Sequence, residues 1–285
     1  LLEVNHLSVY VQQGTSEKLV VDDISFLVPK GKVVGIVGES GSGKSMICST
    51  ILQLFDDGRR VSGEIRFKGE QLLTKSKKDL RSVRGKEIAF IMQNPMSMFN
   101  PMLTTGEHFV ETLQAHSAIS RKEAKIKGIE QLARYKLPGD RVWNKYPHEL
   151  SGGMLQRIMI AIAVCHQPSL LIADEPTTAL DTVTQLLILD ELQAYQHNSG
   201  ASMLVVSHDL GVISRLADEL IVMRHGMMVE YGPASSVLAD PRHPYTQALL
   251  AVKEKNRSLD ELVDSCEGTI TEPLVEWKPG YWVRQ

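Results

Sequence analysis

The chain has 285 residues, 43% hydrophobic and 23% charged, proportions that exclude a disordered, collagen-like or low-complexity polymer. Such a length can bury a core without disulfide or metal staples and, at about 150 residues per domain, accommodates roughly two lobes. A net charge of −3 and a pI near 6.3 argue against a broad nucleic-acid footprint, which needs a basic face. The longest apolar stretch, residues 158–165, is far short of a membrane span, and the first ten residues lack a signal-peptide pattern. Cys48, Cys165 and Cys266 form no CxxC pair, so a globular protein of a reducing, cytosolic compartment is expected.

In chain order, residues 3–11, 19–28 and 64–68 read as strands, short mixed runs punctuated by Gly, Pro and Asp. Residues 32–37 differ. Val33-Val34-Gly35-Ile36-Val37 is nearly all apolar, as a parallel strand buried on both faces must be. It runs into a Gly-rich turn, after which residues 46–55 carry apolar side chains at helical spacing until Asp57-Gly58. Helices are expected over 106–116, from the capping-box spacing Ser120 to Glu123 as far as Lys136, and over 154–165 after a Ser-Gly-Gly turn. Strand 170–173, helix 182–195, strand 203–206, helix 210–217 and strand 220–223 then alternate, the pattern of βαβ units and a parallel sheet. Beyond Pro241 the chain reads as turns, a helical stretch over 245–253 and a proline-containing tail, with no internal repeat.

Three motifs carry chemistry. Gly38-Glu39-Ser40-Gly41-Ser42-Gly43-Lys44-Ser45 fits G-x-x-x-x-G-K-[ST] in full, between a buried strand and a helix. Its glycines let successive N–H groups face phosphate oxygens, Lys44 bridges the β- and γ-phosphates, and the Ser45 hydroxyl ligates Mg2+. Leu170-Leu171-Ile172-Ala173-Asp174-Glu175 is a buried strand ending in two carboxylates. There Asp174 can hold Mg2+ or its water, and Glu175 can activate an attacking water. Alone, such an ending is as often a solvated strand terminus; lying 130 residues after Lys44, it gains weight. Ser151-Gly152-Gly153 opens a helix with a backbone suited to an anion, although an ordinary N-cap looks the same.

With these motifs the chain resembles the ATP-binding cassette family, the ATPase subunits of ABC transporters. Gln93 in IMQNP resembles the family's Q-loop glutamine. Ala179-Leu180-Asp181 resembles the D-loop, and His208 in VVSHD resembles the switch histidine that contacts the γ-phosphate. The motifs occur in the family's order over residues 2–250. The resemblance implies an α/β P-loop NTPase with a RecA-like parallel sheet core, an N-terminal antiparallel β subdomain and an inserted α-helical subdomain. The cassette would cover 1–240, with the helical insertion about 94–158, and 241–285 would be a short C-terminal extension. It further implies ATP held by Gly38, Glu39, Ser40, Gly41, Ser42, Gly43, Lys44, Ser45, Met46 and Gln93. Ser151, Gly152, Gly153 and Asp181 would close on it from the other subunit of a head-to-tail dimer. Mg2+ would lie on Ser45, Gln93 and Asp174, Glu175 would polarise the water, and His208 would touch the γ-phosphate.

The implied partners are two transmembrane permease subunits, a second ABC ATPase subunit giving a heterodimer, and an extracytoplasmic solute-binding protein, with no nucleic acid. The implied place is the cytoplasmic face of the inner membrane. Met154 departs from the family's usual LSGGQ, which bears on the side-chain ribose contact and not on Ser151. The aromatic that stacks on adenine would stand at Val11 in the register that fits, with Tyr10 one residue off.

Within the family, residues 94–101, YPHELSGGM, His243-Pro244-Tyr245-Thr246-Gln247-Ala248-Leu249 and residues 279–284 look like the peptide/nickel importer branch. A tail with only Cys266, too few thiols for the iron–sulfur-like segment of many peptide importers, points with MQNP and SGGMLQR toward nickel or another metal chelate. Dipeptide or oligopeptide import is the alternative. A soluble, non-transport ABC ATPase would show tandem cassettes, coiled coils, CxxC pairs or basic extensions, and a small-molecule kinase has no use for the Ser151 turn or His208. Met92, Met96, Met98 and Met102 suit an adaptable groove for a partner's coupling helix better than a metal site, and His108 and His116 read as helix-surface residues.

Overall fold

Alternation of apolar and polar side chains sets the first strands. In β1 (Leu2–Gln13), Leu2, Val4, Leu7 and Val9 are buried, and the strand pairs antiparallel with β2 (Ser16–Val28). The structure, a computed structural model, describes residues 1–55, 58–255 and 273–284. Within it the chain forms two compact units, Leu1–Thr74 with Leu204–Gln285, and Lys75–Met203.

In the first unit, β3 (Val33–Gly38) is buried along its whole length, as its apolar run requires. The loop after it leads into α1 (Lys44–Ile51). This helix starts two residues earlier and ends four earlier than the sequence pattern predicts, because Gln53 turns to φ 48°. Of the predicted stop, Asp57 lies outside the described residues. β4 (Arg59–Phe67) begins well before the expected Glu64 and pairs with β1, and the two-residue β5 (Glu70–Gln71) completes the sheet β2-β1-β4-β5.

The second unit is mostly helical. After α2 (Lys77–Val83), β6 (Ile88–Ile91) and the single turn α3 (Pro95–Met98) come α4 (Thr105–His116), α5 (Arg121–Arg134) and α6 (Gly139–Trp143). Capping boxes Thr104/Glu107 and Ser120/Glu123 start α4 and α5, the second where the spacing predicts it. α5 stops at Arg134, two residues short of expectation, as Lys136 takes φ 55°. Phe109 of α4 stacks on Trp143 at 5.9 Å. His108 and His116 lie half-buried on α4, the first edge-on to Phe99 and the second edge-on to His166 at 5.2 Å. Burial, followed by His166, lowers the pKa of His116. α7 (Gly152–Ala163), β7 (Leu170–Asp174) and α8 (Thr182–Ser199) follow, with β7 wholly buried and parallel to β6. Gly200, at φ 65°, ends α8 four residues beyond the expected Tyr195.

The boundary between the units falls inside β8 (Ser202–Ser207). The chain continues through α9 (Leu210–Leu216), β9 (Glu219–Arg224), β10 (Met227–Pro233), α10 (Ala234–Ala239), α11 (Pro244–Lys255), β11 (Leu274–Lys278) and β12 (Tyr281–Arg284). In the first unit these strands run in the order β11-β12-β10-β9-β3-β8. β3 and β9 are parallel, as the βαβ alternation predicts, whereas β10, β12 and β11 extend the sheet antiparallel. The expected helical stretch over 245–253 is α11, while the proline-containing tail adds the β11 and β12 strands, which the sequence pattern does not predict. Cys266 lies outside the described residues.

Glu230 of β10 is fully buried and accepts hydrogen bonds from the N–H groups of Arg242 and His243 and from the Tyr281 hydroxyl. It thereby pins β12 and the start of α11. The His243 ring is held down to a pKa of about 4 by burial and by the neighbouring Arg224 and Arg284 cations. The folded value lies below the ordinary 6.5, so the unfolded chain takes up this proton first. Stability present above about pH 6.5 is therefore lost as the pH falls toward about 4. His243→Asn can still accept the Tyr245 N–H but has no such titration. Denaturant unfolding at about pH 7.5 and about pH 5 should show a smaller loss in the variant than in the native chain, and equal losses would contradict this assignment.

Candidate active site

In the first unit β3 delivers Gly38 into the loop. A Cβ on Gly38 would lie 2.2 Å from the Met223 carbonyl oxygen and 2.8 Å from Ser42 Oγ, so only glycine fits. Gly43 holds φ 96° at the N-cap of α1, and a Cβ there would approach the Val20 carbonyl oxygen to 2.9 Å. Between them the Ser42 N–H donates to the Glu39 carbonyl at 3.2 Å, closing a tight turn. Lys44 is buried, and its ammonium donates to the carbonyls of Gly38 and Glu39 at 2.7 Å each and toward Ser42 Oγ at 3.4 Å. Ser40, Gly41 and Ser45 are exposed and Met46 half-buried. A curled loop with exposed small residues, a fixed cation and the N-terminus of an eight-residue helix is chemically a receptor for phosphate.

His208 follows β8, the sheet neighbour of β3, and is exposed. Asp209 anchors the next turn: its carboxylate accepts the Gly211 N–H at 2.6 Å and its own N–H donates to Ser207 Oγ at 3.0 Å. Tyr10, by contrast, has the Arg60 guanidinium 3.7 Å from its ring centroid, and Arg60 is itself paired with Glu17 at 2.9 Å. Val11, one residue on, is half-buried.

In the second unit Asp174 is the last residue of β7 and is buried, as is Glu175 beside it. Glu175 sits at φ 51°, a left-handed conformation that costs a non-glycine residue about 1 kcal/mol. The Thr178 hydroxyl donates to Glu175 Oε2 at 2.7 Å and the Thr178 N–H to the Glu175 carbonyl at 3.2 Å. Buried Gln156 of α7 donates to the Pro176 carbonyl at 2.6 Å, tying α7 to this turn. Ser151 and Gly152 are exposed at the head of α7, where Ser151 Oγ accepts the Met154 N–H at 3.3 Å. Gly153 packs on Thr184 of α8, whose methyl a Cβ would meet at 2.8 Å. Asp181 caps α8 through the Thr184 N–H at 3.0 Å and hydroxyl at 2.6 Å, and these bonds lower its pKa. The unit thus brings Ser151–Gly153, Asp174–Glu175 and Asp181 together through Gln156 and Thr184. Gln93 lies two residues past β6 and is exposed. Thr178 carries no motif of its own; Gln156 and Tyr245 stand out in the sequence only as parts of branch markers.

The family model described as "ABC transporter" matches residues 21–178. This chain belongs to the ABC transporter ATPases. A second model, "Oligopeptide/dipeptide transporter, C-terminal region", matches residues 229–274 and places this ABC ATPase in the oligopeptide/dipeptide import branch. It is 42% identical over 276 residues to a Brucella abortus protein provisionally named a peptide import ATP-binding protein, covering 96% of this chain and 83% of that one. It is 41% identical over 256 residues to the metal-staphylopine import system ATP-binding protein CntD of Staphylococcus aureus, covering 90% and 94%. Among solved structures, the ATP-binding cassette MJ0796, a dimer in a post-hydrolysis state bound to ADP and Pi, superposes with a TM-score of 0.75 at 26% identity, covering 82% of this chain and 99% of that one. The P-loop NTPase fold expected from the motifs is therefore the fold of this ABC ATPase.

Proposed function

We propose that this importer ATPase drives uptake of peptides. The observation that carries the reading is the oligopeptide/dipeptide C-terminal region over residues 229–274. A Bacillus subtilis relative named the oligopeptide transport ATP-binding protein OppD, 43% identical over 255 residues, supports it. Peptide import, the alternative in the sequence analysis, is thus better supported than nickel. A metal chelate keeps one specific observation in its favour, the match over 94% of CntD. An uptake assay in a strain lacking the native gene separates the readings. Labelled dipeptide uptake should be restored on complementation, and restoration of nickel or metal-chelate uptake without peptide uptake would overturn the assignment.

The roles we assign follow the chemistry of the side chains. Gly38, Glu39, Ser40, Gly41, Ser42, Gly43, Lys44, Ser45 and Met46 hold the ATP phosphates, with Gln93. Ser45, Gln93 and Asp174 offer oxygen donors alone, the set that suits Mg2+. Bound there, the ion would neutralise charge on the β- and γ-phosphate oxygens. Glu175 accepts a proton from the water that attacks the γ-phosphorus, and His208 donates to the γ-phosphate as ADP leaves. Ser151, Gly152, Gly153 and Asp181 serve the nucleotide of a second ATPase subunit in a head-to-tail dimer, a heterodimer in the full transporter.

In this reading 1–240 is the cassette, with its helical insertion about 94–158, and 241–285 is the importer-type extension. Among the described residues no helix is long and apolar enough to cross a membrane. Two permease subunits would supply the path, and an extracytoplasmic binding protein the solute, with the ATPase on the cytoplasmic face of the inner membrane. Met96 and Met102 are exposed beside buried Phe99, an adaptable apolar surface of the kind a permease helix would use.

A further inference from the structure

We propose that Tyr245 is a positioning residue for the phosphate loop, through which the C-terminal segment sets the affinity for ATP. The proposal rests on the reading of the Gly38–Ser45 loop as the ATP site. Tyr245 lies near the start of α11, and its side chain is fully buried. Its hydroxyl accepts the Glu39 N–H at 3.0 Å, across 206 residues of sequence. That N–H belongs to the same peptide group as the Gly38 carbonyl, which accepts the Lys44 ammonium at 2.7 Å. One peptide plane is therefore held from both sides, its N–H by Tyr245 and its C=O by Lys44. Rotation of that plane would carry away an oxygen that aims the lysine. Because glycines flank this stretch at Gly38, Gly41 and Gly43, the backbone has little stiffness of its own, and an outside anchor matters more.

The anchor is itself braced. The Arg224 guanidinium lies 5.1 Å from the Tyr245 ring centroid, and burial pushes the phenol pKa up to about 12, so the hydroxyl stays neutral. The Tyr245 N–H donates to His243 Nδ1 at 3.0 Å. The N–H groups of Arg242 and His243 donate to the Glu230 carboxylate at 2.8 and 3.2 Å, and the Tyr281 hydroxyl donates to the same carboxylate. A continuous run of bonds thus links β12, the last strand of the chain, to the peptide that orients Lys44. Most of these partners lie within the match to the importer-type C-terminal region, which gives that region a task at the nucleotide site and not only at the periphery.

Tyr245→Phe removes the hydroxyl alone. In the purified full chain the Kd for a fluorescent ATP analogue and the KM for ATP should rise about three- to tenfold, with kcat at saturating ATP within about twofold of wild type. Tyr281→Phe, three bonds away, should shift KM in the same direction by about twofold. A role in packing alone would lower the thermal midpoint and leave KM where it was; that result, or an unchanged Kd in Tyr245→Phe, overturns the proposal. Should Tyr245→Phe not fold, Tyr281→Phe decides, and a wild-type KM there overturns it. Lys44→Ala separates the two levels. If Lys44→Ala binds the analogue as wild type does, the ATP-site reading fails; if it loses binding while Tyr245→Phe does not, only this inference fails.

Discussion

Replacing Glu175 with Gln is expected to leave ATP binding intact and to slow phosphate release by about 10²–10⁴-fold, the range a positioned general base contributes. The amide keeps the shape of the carboxylate and can still accept the Thr178 hydroxyl bond through its carbonyl oxygen. It cannot take a proton from water. Because Glu175 is buried at a left-handed turn braced by Thr178 and by the Gln156 bond to Pro176, the substitution should not disturb the end of β7. An ATP-loaded dimer should then accumulate, visible as a shift in size-exclusion elution that requires ATP. Phosphate release near the native rate would remove Glu175 from the role of base and leave the turn's strain without a catalytic purpose.

The second large effect is expected at Lys44. Truncation to Ala should weaken ATP binding by about 10- to 100-fold, since hydrogen bonds to charged groups contribute about 1.5–3 kcal/mol each. The ammonium lies against the loop through the carbonyls of Gly38 and Glu39, so its loss also leaves the turn with fewer donors and less definition. Titration calorimetry with ATP reads the affinity directly, with a thermal-unfolding control for the fold. Native affinity in Lys44→Ala would mean that the loop does not hold the triphosphate. The two variants differ in kind. Glu175→Gln is expected to separate binding from chemistry, whereas Lys44→Ala removes binding itself.

The parts of the site that rest on short-range geometry are legible in the sequence. A stretch of eight residues suffices to recognise the phosphate loop, because the positive φ of Gly41 and Gly43 and the N-terminus of α1 are local, whereas the atoms that bar a side chain at Gly38 and Gly43, the Met223 and Val20 carbonyls, are supplied by distant strands. Asp174 is legible because two adjacent carboxylates close a wholly apolar run of strand residues, and they stay buried at the end of β7. The capping box at Ser120 is legible for the same local reason. The C-terminal hairpin is not. β11 exposes Val275, Glu276, Trp277 and Lys278, so no alternation marks it, and its pairing depends on β12 and β10. The sequence pattern also misplaces helix ends at Ile51 and Arg134, where single residues with positive φ, not the hydrophobic period, stop the helix.

The opening arithmetic of length, charge and apolar runs argued against a broad nucleic-acid footprint and held no apolar run long enough for a membrane span, and the motifs in their order carried the resemblance to the ABC ATPases. Those conclusions need only local chemistry: glycines that admit a phosphate, a lysine to meet it, carboxylates at a strand end. The tertiary structure alone decided how the pieces are held. Gln156 on Pro176 and Tyr245 on the Glu39 peptide are single hydrogen bonds between groups that no periodicity links, the last across 206 residues. Such partners are chosen by where folding buries a donor that must be satisfied, and burial is a property of the whole chain.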